Sequence, residues 1–199
     1  ITEWIVGDRE DTGKIYRLPW GEERRGLGMN LLVGGVGRDD AGKERVEIFK
    51  RFAKRDDFRG KVIFIEGTGT EIMQLATQAS DIWISMPRST REACGTSDNR
   101  AAFNGHINIA TKTGGPAEYI VDGVNGWLMD VFFETGYSFE DVVFAMQPGH
   151  EKHMKIVELY RSLSQRLLAE SLSKAARIYY AYKKENNLKW LEMMEASYR

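Results

Sequence analysis

The sequence predicts an α/β fold, a parallel sheet with helices on both faces, followed by a helical C-terminal third. Three observations predict it. Short apolar, β-branched runs bounded by turn residues recur between residues 31 and 129, and because they do not alternate they read as buried strands. Helical patterns lie between those runs, the order that gives a right-handed, doubly wound parallel sheet. From Ser138 onward the chain reads as helix.

Residues 1–30 are mixed: Trp4, Tyr16 and Trp20 sit among charges and glycines without a sustained period, as in a strand pair or an interdomain connection. Leu31-Leu32-Val33-Gly34-Gly35-Val36-Gly37 is the first strand. Its glycine-rich end, followed by a helical pattern, has the strand–turn–helix order of a phosphate-binding Rossmann-like unit, although G-x-G-x-x-G is absent. Arg38 and Lys43 follow that turn, and on their own they are ordinary solvated turn and helix-start residues. The helix after them turns Val46, Ile48, Phe49 and Phe52 toward the sheet and Lys50, Arg51 and Lys54 toward water. Lys61–Gly67 is the second strand, and Thr70 caps a helix to Gln78 with Ile72, Leu75 and Ala76 as its inner stripe.

The next strands are Asp81–Met86 and Ile107–Thr111. Between them lies the glycine-hydroxyl loop Glu92-Ala93-Cys94-Gly95-Thr96-Ser97, which opens a short helical pattern from Asp98 to Asn104. A strand feeding such a loop and helix start is a ready anion site, because free backbone N–H groups, the positive end of the helix dipole and two hydroxyls converge there. Thr96 and Ser97 serve equally as N-caps, and the two roles are compatible. Gly114-Gly115-Pro116 is a helix entry, and Asp122-Gly123-Val124-Asn125-Gly126 turns into a strand at Trp127-Leu128-Met129. Ser138-Phe139-Glu140-Asp141 opens the helical third, which has amphipathic patterns through Lys152–Leu168 and Ser171–Lys184. His150 and His153 have a spacing that suits a metal, but without a supporting cysteine or carboxylate pattern they read as surface histidines, and no metal is expected.

With 199 residues, 42% of them apolar, the chain can bury one sound core and a small satellite, so one domain is the default. A net charge of −1 gives no electrostatic reason to expect nucleic acid or an anionic membrane as partner. The single cysteine, Cys94, rules out an intrachain disulfide framework and suits a reducing compartment. No apolar run approaches the roughly 18 residues of a membrane span, and no signal peptide opens the chain, so a soluble, cytoplasmic protein is expected.

Residues 92–105, Glu-Ala-Cys-Gly-Thr-Ser-Asp-Asn-Arg-Ala-Ala-Phe-Asn-Gly, resemble the α-glucan phosphorylase signature E-A-S-G-T-(G/S)-x-M-K-x-x-L-N-G of the glycogen and maltodextrin enzymes. Asp81–Arg88 is similar to the strand that leads into that signature. Gly114–Gly126 resembles the G-x-P-E-x-x-x-x-G-x-N-G segment of retaining nucleotide-sugar glycosyltransferases, and Leu188–Tyr198 resembles a W-x-x-M-M-x-x-S helix near the end of phosphorylases. The resemblance covers roughly residues 31–130. It implies the C-terminal, donor-binding half of a two-domain GT-B fold, with 31–145 as that domain and 146–199 as helices that pack on it or bridge to a second domain. A complete enzyme of this kind needs an N-terminal GT-B domain in the same or a separate chain, so a fragment or split subunit is expected.

The resemblance also implies roles. Arg38 and Lys43 clamp the donor phosphate and Glu92 accepts hydrogen bonds from glucosyl hydroxyls. Cys94, which stands where serine is common, and Gly95 approach the sugar through backbone groups. Thr96 and Ser97 bond phosphate oxygens, and Gly114 and Gly115 are sugar neighbours. The family's cofactor is pyridoxal phosphate, joined as a Schiff base to a lysine whose place is taken here by Arg100. A guanidinium, with a pKa above about 12, does not become the neutral amine that attacks an aldehyde, so no covalent cofactor is expected. Arg100 either places a permanent charge beside the donor phosphate or marks a decayed site.

The expected function is transfer of an α-glucosyl unit between glucose 1-phosphate, or a related sugar phosphate, and an α-glucan. Two alternatives stay open: a glycosyltransferase using UDP- or ADP-glucose, such as a glycogen synthase, and a non-catalytic sugar-phosphate-binding subunit. Trp190, Met193 and Met194 either form an exposed stripe for a missing domain or cover this domain's own sheet.

Overall fold

The computed structural model describes residues 1–7, 14–37, 39–67, 69–88, 95–145, 149 and 152–198. The chain is α/β, with parallel sheets flanked by helices and a helical C-terminal part. It divides into two compact units, Ile1–Ala79 and Ser80–Arg199.

The first unit begins with α1 (Thr2–Val6) and the antiparallel strands β1 (Ile15–Arg17) and β2 (Glu23–Arg25). The Trp4 indole donates to the Arg25 carbonyl at 2.8 Å. The amides of Leu27 and Met29 donate to the carbonyls of Trp4 and Ile5 at 2.9 and 3.0 Å. Gly26 lies so close to Gly7 that a Cβ there would sit 2.4 Å from its carbonyl oxygen. The expected strand pair is thus present. The helix beside it has no periodic signature and is held by packing, with Trp4, Ile5, Val6, Leu18 and Leu27 all buried.

The strands β3 (Leu31–Gly35) and β4 (Val62–Glu66) pair in parallel from Leu31↔Val62 to Gly35↔Glu66. They are joined through α2 (Asp40–Ala53), which Asp39 caps by accepting from the Gly42 amide at 2.7 Å. A Cβ on Gly37 would lie 2.4 Å from the Lys43 amide nitrogen, so the turn after β3 admits only glycine. The ring of Phe49 stacks on Phe64 of β4, 6.4 Å apart. Lys50, expected on the water side, instead reaches the sheet and pairs with Glu66 at 2.9 Å as well as Glu47 at 3.0 Å. A long apolar stem lets an ammonium span this distance. In α3 (Thr70–Ala79) the inner arc is Ile72, Met73, Ala76 and Thr77, while Leu75 is 65% exposed. At about 100° per residue, Leu75 falls on the far side of that arc, so the expected stripe was displaced by one position.

In the second unit β5 (Ile82–Ser85), β6 (Ile107–Thr111) and β7 (Gly126–Met129) form a parallel sheet in that order. Every residue of central β6 is buried, as an unalternating apolar run requires. Crossovers come from α4 (Thr96–Phe103) and the single turn α5 (Pro116–Tyr119), and after β7 follow α6 (Val131–Glu134) and α7 (Phe139–Ala145). The turn into β7 is locked by side chains. Asn125 accepts from the Val121 amide at 2.7 Å and donates to the Tyr119 carbonyl at 2.9 Å, and Asp122 accepts from the Leu128 amide at 2.7 Å. Ser138 opens α7, its hydroxyl accepting from the Asp141 amide at 3.1 Å and donating to the Asp141 carboxylate at 2.9 Å.

The two amphipathic patterns of the C-terminal third form one helix, α8 (His153–Glu185), of 33 residues. It buries Leu172 together with Ala169, Ser171, Ala175 and Ala176, small side chains that let it lie close to β6 and β7. Asn186 ends it in the left-handed conformation, φ 53°. The chain then reverses into α9 (Lys189–Tyr198), which packs on α4 and β6. Trp190 is 2% exposed and meets Tyr179 edge-on at 5.0 Å, and Met193 is buried with it. The stripe of Trp190 and Met193 therefore covers its own sheet and is not an exposed mark of a missing partner. Among the described residues no helix is long and apolar enough to cross a membrane.

Candidate sugar-phosphate site

Three residues expected at the site, Arg38, Glu92 and Cys94, lie outside the described residues. In the first unit Lys43 sits on the first turn of α2, with its ammonium 3.3 Å from the Asp40 carboxylate and both groups exposed. Such a pair is worth little and exchanges readily for another anion.

In the second unit the carboxyl ends of β5 and β6 lie side by side, Ser85 opposite Ala110. The chain leaving β5 arrives at α4, and the chain leaving β6 passes Gly114 and Gly115 into α5. These two connections leave from one edge of the sheet, where α/β folds place ligands.

Gly95 is the N-cap of α4 in extended backbone, φ −89° and ψ 129°, and no side chain caps the helix in its place. Thr96 and Ser97, expected as caps, are instead the first two helical residues, so the helix begins two residues earlier than its apolar pattern indicated. The guanidinium of Arg100 turns back one turn and donates from Nη2 to the Thr96 hydroxyl at 3.3 Å. A permanent cation and a hydroxyl therefore share the exposed side of the helix start.

Behind them lies a buried acid. Asp98, in the first turn of α4, is 0% exposed. Its Oδ1 is 2.8 Å from where a Cβ on Gly95 would be. A side chain at 95 would therefore press on this carboxyl group. The Asp98 carbonyl accepts from Nδ2 of Asn108 at 3.2 Å, and the same nitrogen lies 3.3 Å from the Tyr119 hydroxyl. Asn108, buried in the middle of β6, ties the first turn of α4 to α5. The sequence offered Asp98 only as a pairing partner for Arg100 and assigned no role to Asn108, although a lone amide in an otherwise apolar strand is the kind of signal that marks such a tie.

Gly114 adopts φ +56°, which favours glycine, while Gly115 is in ordinary helical backbone as the N-cap of α5. Beside them Lys112 donates to Asp130 at 2.9 Å, and that hydrogen bond and charge hold the Lys112 pKa above its usual value. Lys112, which the sequence did not single out, is a second cation on the edge that carries Gly114 and Gly115.

No protein-family model matches the chain. Among curated proteins it is similar to the glycogen phosphorylase of Mycobacterium bovis, 34% identical over 119 residues, which cover 59% of this chain and 13% of that protein. It is similar to the maltodextrin phosphorylase of Thermococcus litoralis, 26% identical over 195 residues, covering 97% of this chain and 20% of that protein. The glycogen phosphorylase of Aquifex aeolicus is 32% identical over 89 residues, covering 45% of the chain and 13% of that protein. The chain is thus homologous to glycogen and maltodextrin phosphorylases over part of its length, and spans 13 to 20% of the length of these relatives.

Proposed function

We propose that this chain is the donor-binding part of a retaining α-glucosyl transferase of the glycogen phosphorylase type, acting on glucose 1-phosphate or a related sugar phosphate and an α-glucan. The observation that carries this reading is the phosphorylase similarity together with a helix start at which Arg100 and the Thr96 hydroxyl are joined. The phosphorylase resemblance gives Arg38 and Lys43 the role of phosphate clamp, and Arg100 at the α4 helix start is a permanent cation suited to a phosphate. Glu92 accepts hydrogen bonds from the sugar hydroxyls, the backbone at Cys94 and Gly95 lies against the ring, Thr96 and Ser97 contact phosphate oxygens, and Gly114 and Gly115 border the sugar. An N-terminal GT-B domain, in the same or a separate chain, holds the acceptor, and the protein works in the cytoplasm.

Pyridoxal phosphate does not fit covalently. Arg100 provides no condensing amine at the position of the family's lysine. The permanent cation at Arg100 favours a second reading, a nucleotide-sugar donor such as UDP- or ADP-glucose in which no aldehyde cofactor takes part.

Thermal shift with glucose 1-phosphate, UDP-glucose, ADP-glucose and pyridoxal phosphate tests these readings. Stabilisation by glucose 1-phosphate is expected. Stabilisation by the nucleotide sugars alone would overturn the phosphorylase reading in favour of the second.

A further inference from the structure

We propose that Asn108 is the positioning residue of this site: the nitrogen of its side-chain amide fixes the start of α4 against α5, so that the phosphate side and the sugar side of one ligand are held at a set spacing. The inference deepens the functional reading above and rests on it, because that reading puts phosphate at Thr96 and Arg100 and sugar beside Gly114 and Gly115.

A buried amide in the central strand of a sheet needs a reason. Asn108 is 1% exposed in β6, where it pairs with Trp83 of β5 on one side and Gly126 of β7 on the other. Its Nδ2 donates to the Asp98 carbonyl at 3.2 Å and to the Tyr119 hydroxyl at 3.3 Å. Its Oδ1 is buried and has no hydrogen-bond partner among the described residues. A carbonyl only accepts, so the amide cannot turn over without setting this oxygen against the Asp98 carbonyl. The side chain is thus oriented by what its nitrogen holds, at a cost to its oxygen.

Both ends of this tie belong to turns that the functional reading puts beside ligand. On α4, the Asp98 carbonyl lies in the turn that joins Thr96 to Arg100. On the other side α5 is a single turn, too short to persist without tethers. Tyr119 supplies two of them, since its hydroxyl meets Asn108 and its carbonyl accepts from Nδ2 of Asn125 at 2.9 Å. The amides of Ala117, Glu118 and Ile120 donate to the carbonyls of Gly114, Gly115 and Pro116 at 3.2, 2.9 and 3.0 Å. Where Tyr119 is held, Gly114 and Gly115 are held with it.

A ligand that touches two elements gains fully from both only when their spacing is already set, because otherwise part of the second contact is lost in ordering them. Inorganic phosphate reaches the α4 start alone and is indifferent to the tie. Glucose 1-phosphate reaches both turns and depends on it.

The test titrates wild type, Tyr119→Phe and Asn108→Leu calorimetrically, each with glucose 1-phosphate and with inorganic phosphate. Tyr119→Phe removes one hydroxyl and keeps the ring, while Asn108→Leu removes both donations with a side chain of similar size. The Kd for glucose 1-phosphate is expected to rise about fivefold in Tyr119→Phe and about tenfold in Asn108→Leu, and that for inorganic phosphate to change by less than about twofold. A merely structural role would lower the melting temperature and move both ligands together or neither, and either result overturns the inference. So does a wild type that binds glucose 1-phosphate no better than inorganic phosphate, which leaves the phosphate half of the functional reading standing. A wild type that binds neither ligand overturns the functional reading, and this inference with it. Circular dichroism and urea melts establish that each form is folded at the titration temperature, and if Asn108→Leu does not fold, Tyr119→Phe alone decides.

Discussion

Arg100 and Thr96 are joined one turn apart on α4, guanidinium to hydroxyl at 3.3 Å, on the solvent side of the helix start. Both groups keep most of their hydrogen-bonding capacity for a ligand, since a guanidinium has five donors and a hydroxyl can both donate and accept. Replacing Arg100 by alanine is therefore expected to change folding stability by no more than about 0.5 kcal/mol. The same change should weaken glucose 1-phosphate binding on the order of tenfold, the scale of one charge-assisted hydrogen bond. Calorimetric titration beside a denaturant melt checks both, and unchanged affinity would remove Arg100 from the site.

Gly126 opens β7 against the carbonyl of Asn108, which a Cβ would approach to 2.4 Å. The obstacle is backbone in the centre of the sheet, so neither partner can move aside cheaply. Gly126→Ala should destabilise the second unit by about 2 kcal/mol or more. Urea unfolding followed by the fluorescence of the chain's five tryptophans, Trp127 of β7 among them, reads this, and a loss below about 0.5 kcal/mol would show that the strand pair gives way easily.

Trp190 anchors α9 by burying its ring edge-on to Tyr179. Its truncation to alanine should cost about 3–5 kcal/mol, the range for a fully buried aromatic side chain. If the residue served mainly as a docking point for another domain, the variant would melt near the wild-type temperature, which is the opposite outcome.

Asp57 accepts from Arg55 at 2.6 Å, and that hydrogen bond holds its carboxyl below its usual value. A depressed carboxyl contributes stability above its unfolded pKa of about 3.9, and that contribution is lost as pH falls through the lower folded value. The difference in melting temperature between wild type and Asp57→Asn should therefore be present near neutral pH and be lost as the pH falls through the depressed folded value. A difference that persists unchanged to the lowest pH would show that the pair has no titratable effect.

The parallel strands and most crossover helices were legible because each strand is an unalternating apolar run bounded by turn residues. Ile107–Thr111 is the clearest, predicted and found with the same limits. The start of α4 was legible to within two residues, because glycine followed by hydroxyl residues is a common helix entry. The direction of Leu75 and Lys50 was not, since an intermediate apolar stripe leaves the inward arc open by one position and a lysine stem can cross from one face to another. The place of α1 was not legible either, since a five-residue segment has too few turns to show a period.

By itself the sequence determined the α/β class, the order of the elements, the likeness to phosphorylases and the absence of an amine at position 100, because these depend on residue type and spacing along the chain. Only the tertiary structure decided that Trp190 and Met193 cover their own sheet, that Asn108 ties α4 to α5, and that Asp98 lies sealed beneath Gly95. Burial and charge proximity arise from residues far apart in the chain meeting across a packed interior, and no local pattern records which of them will meet.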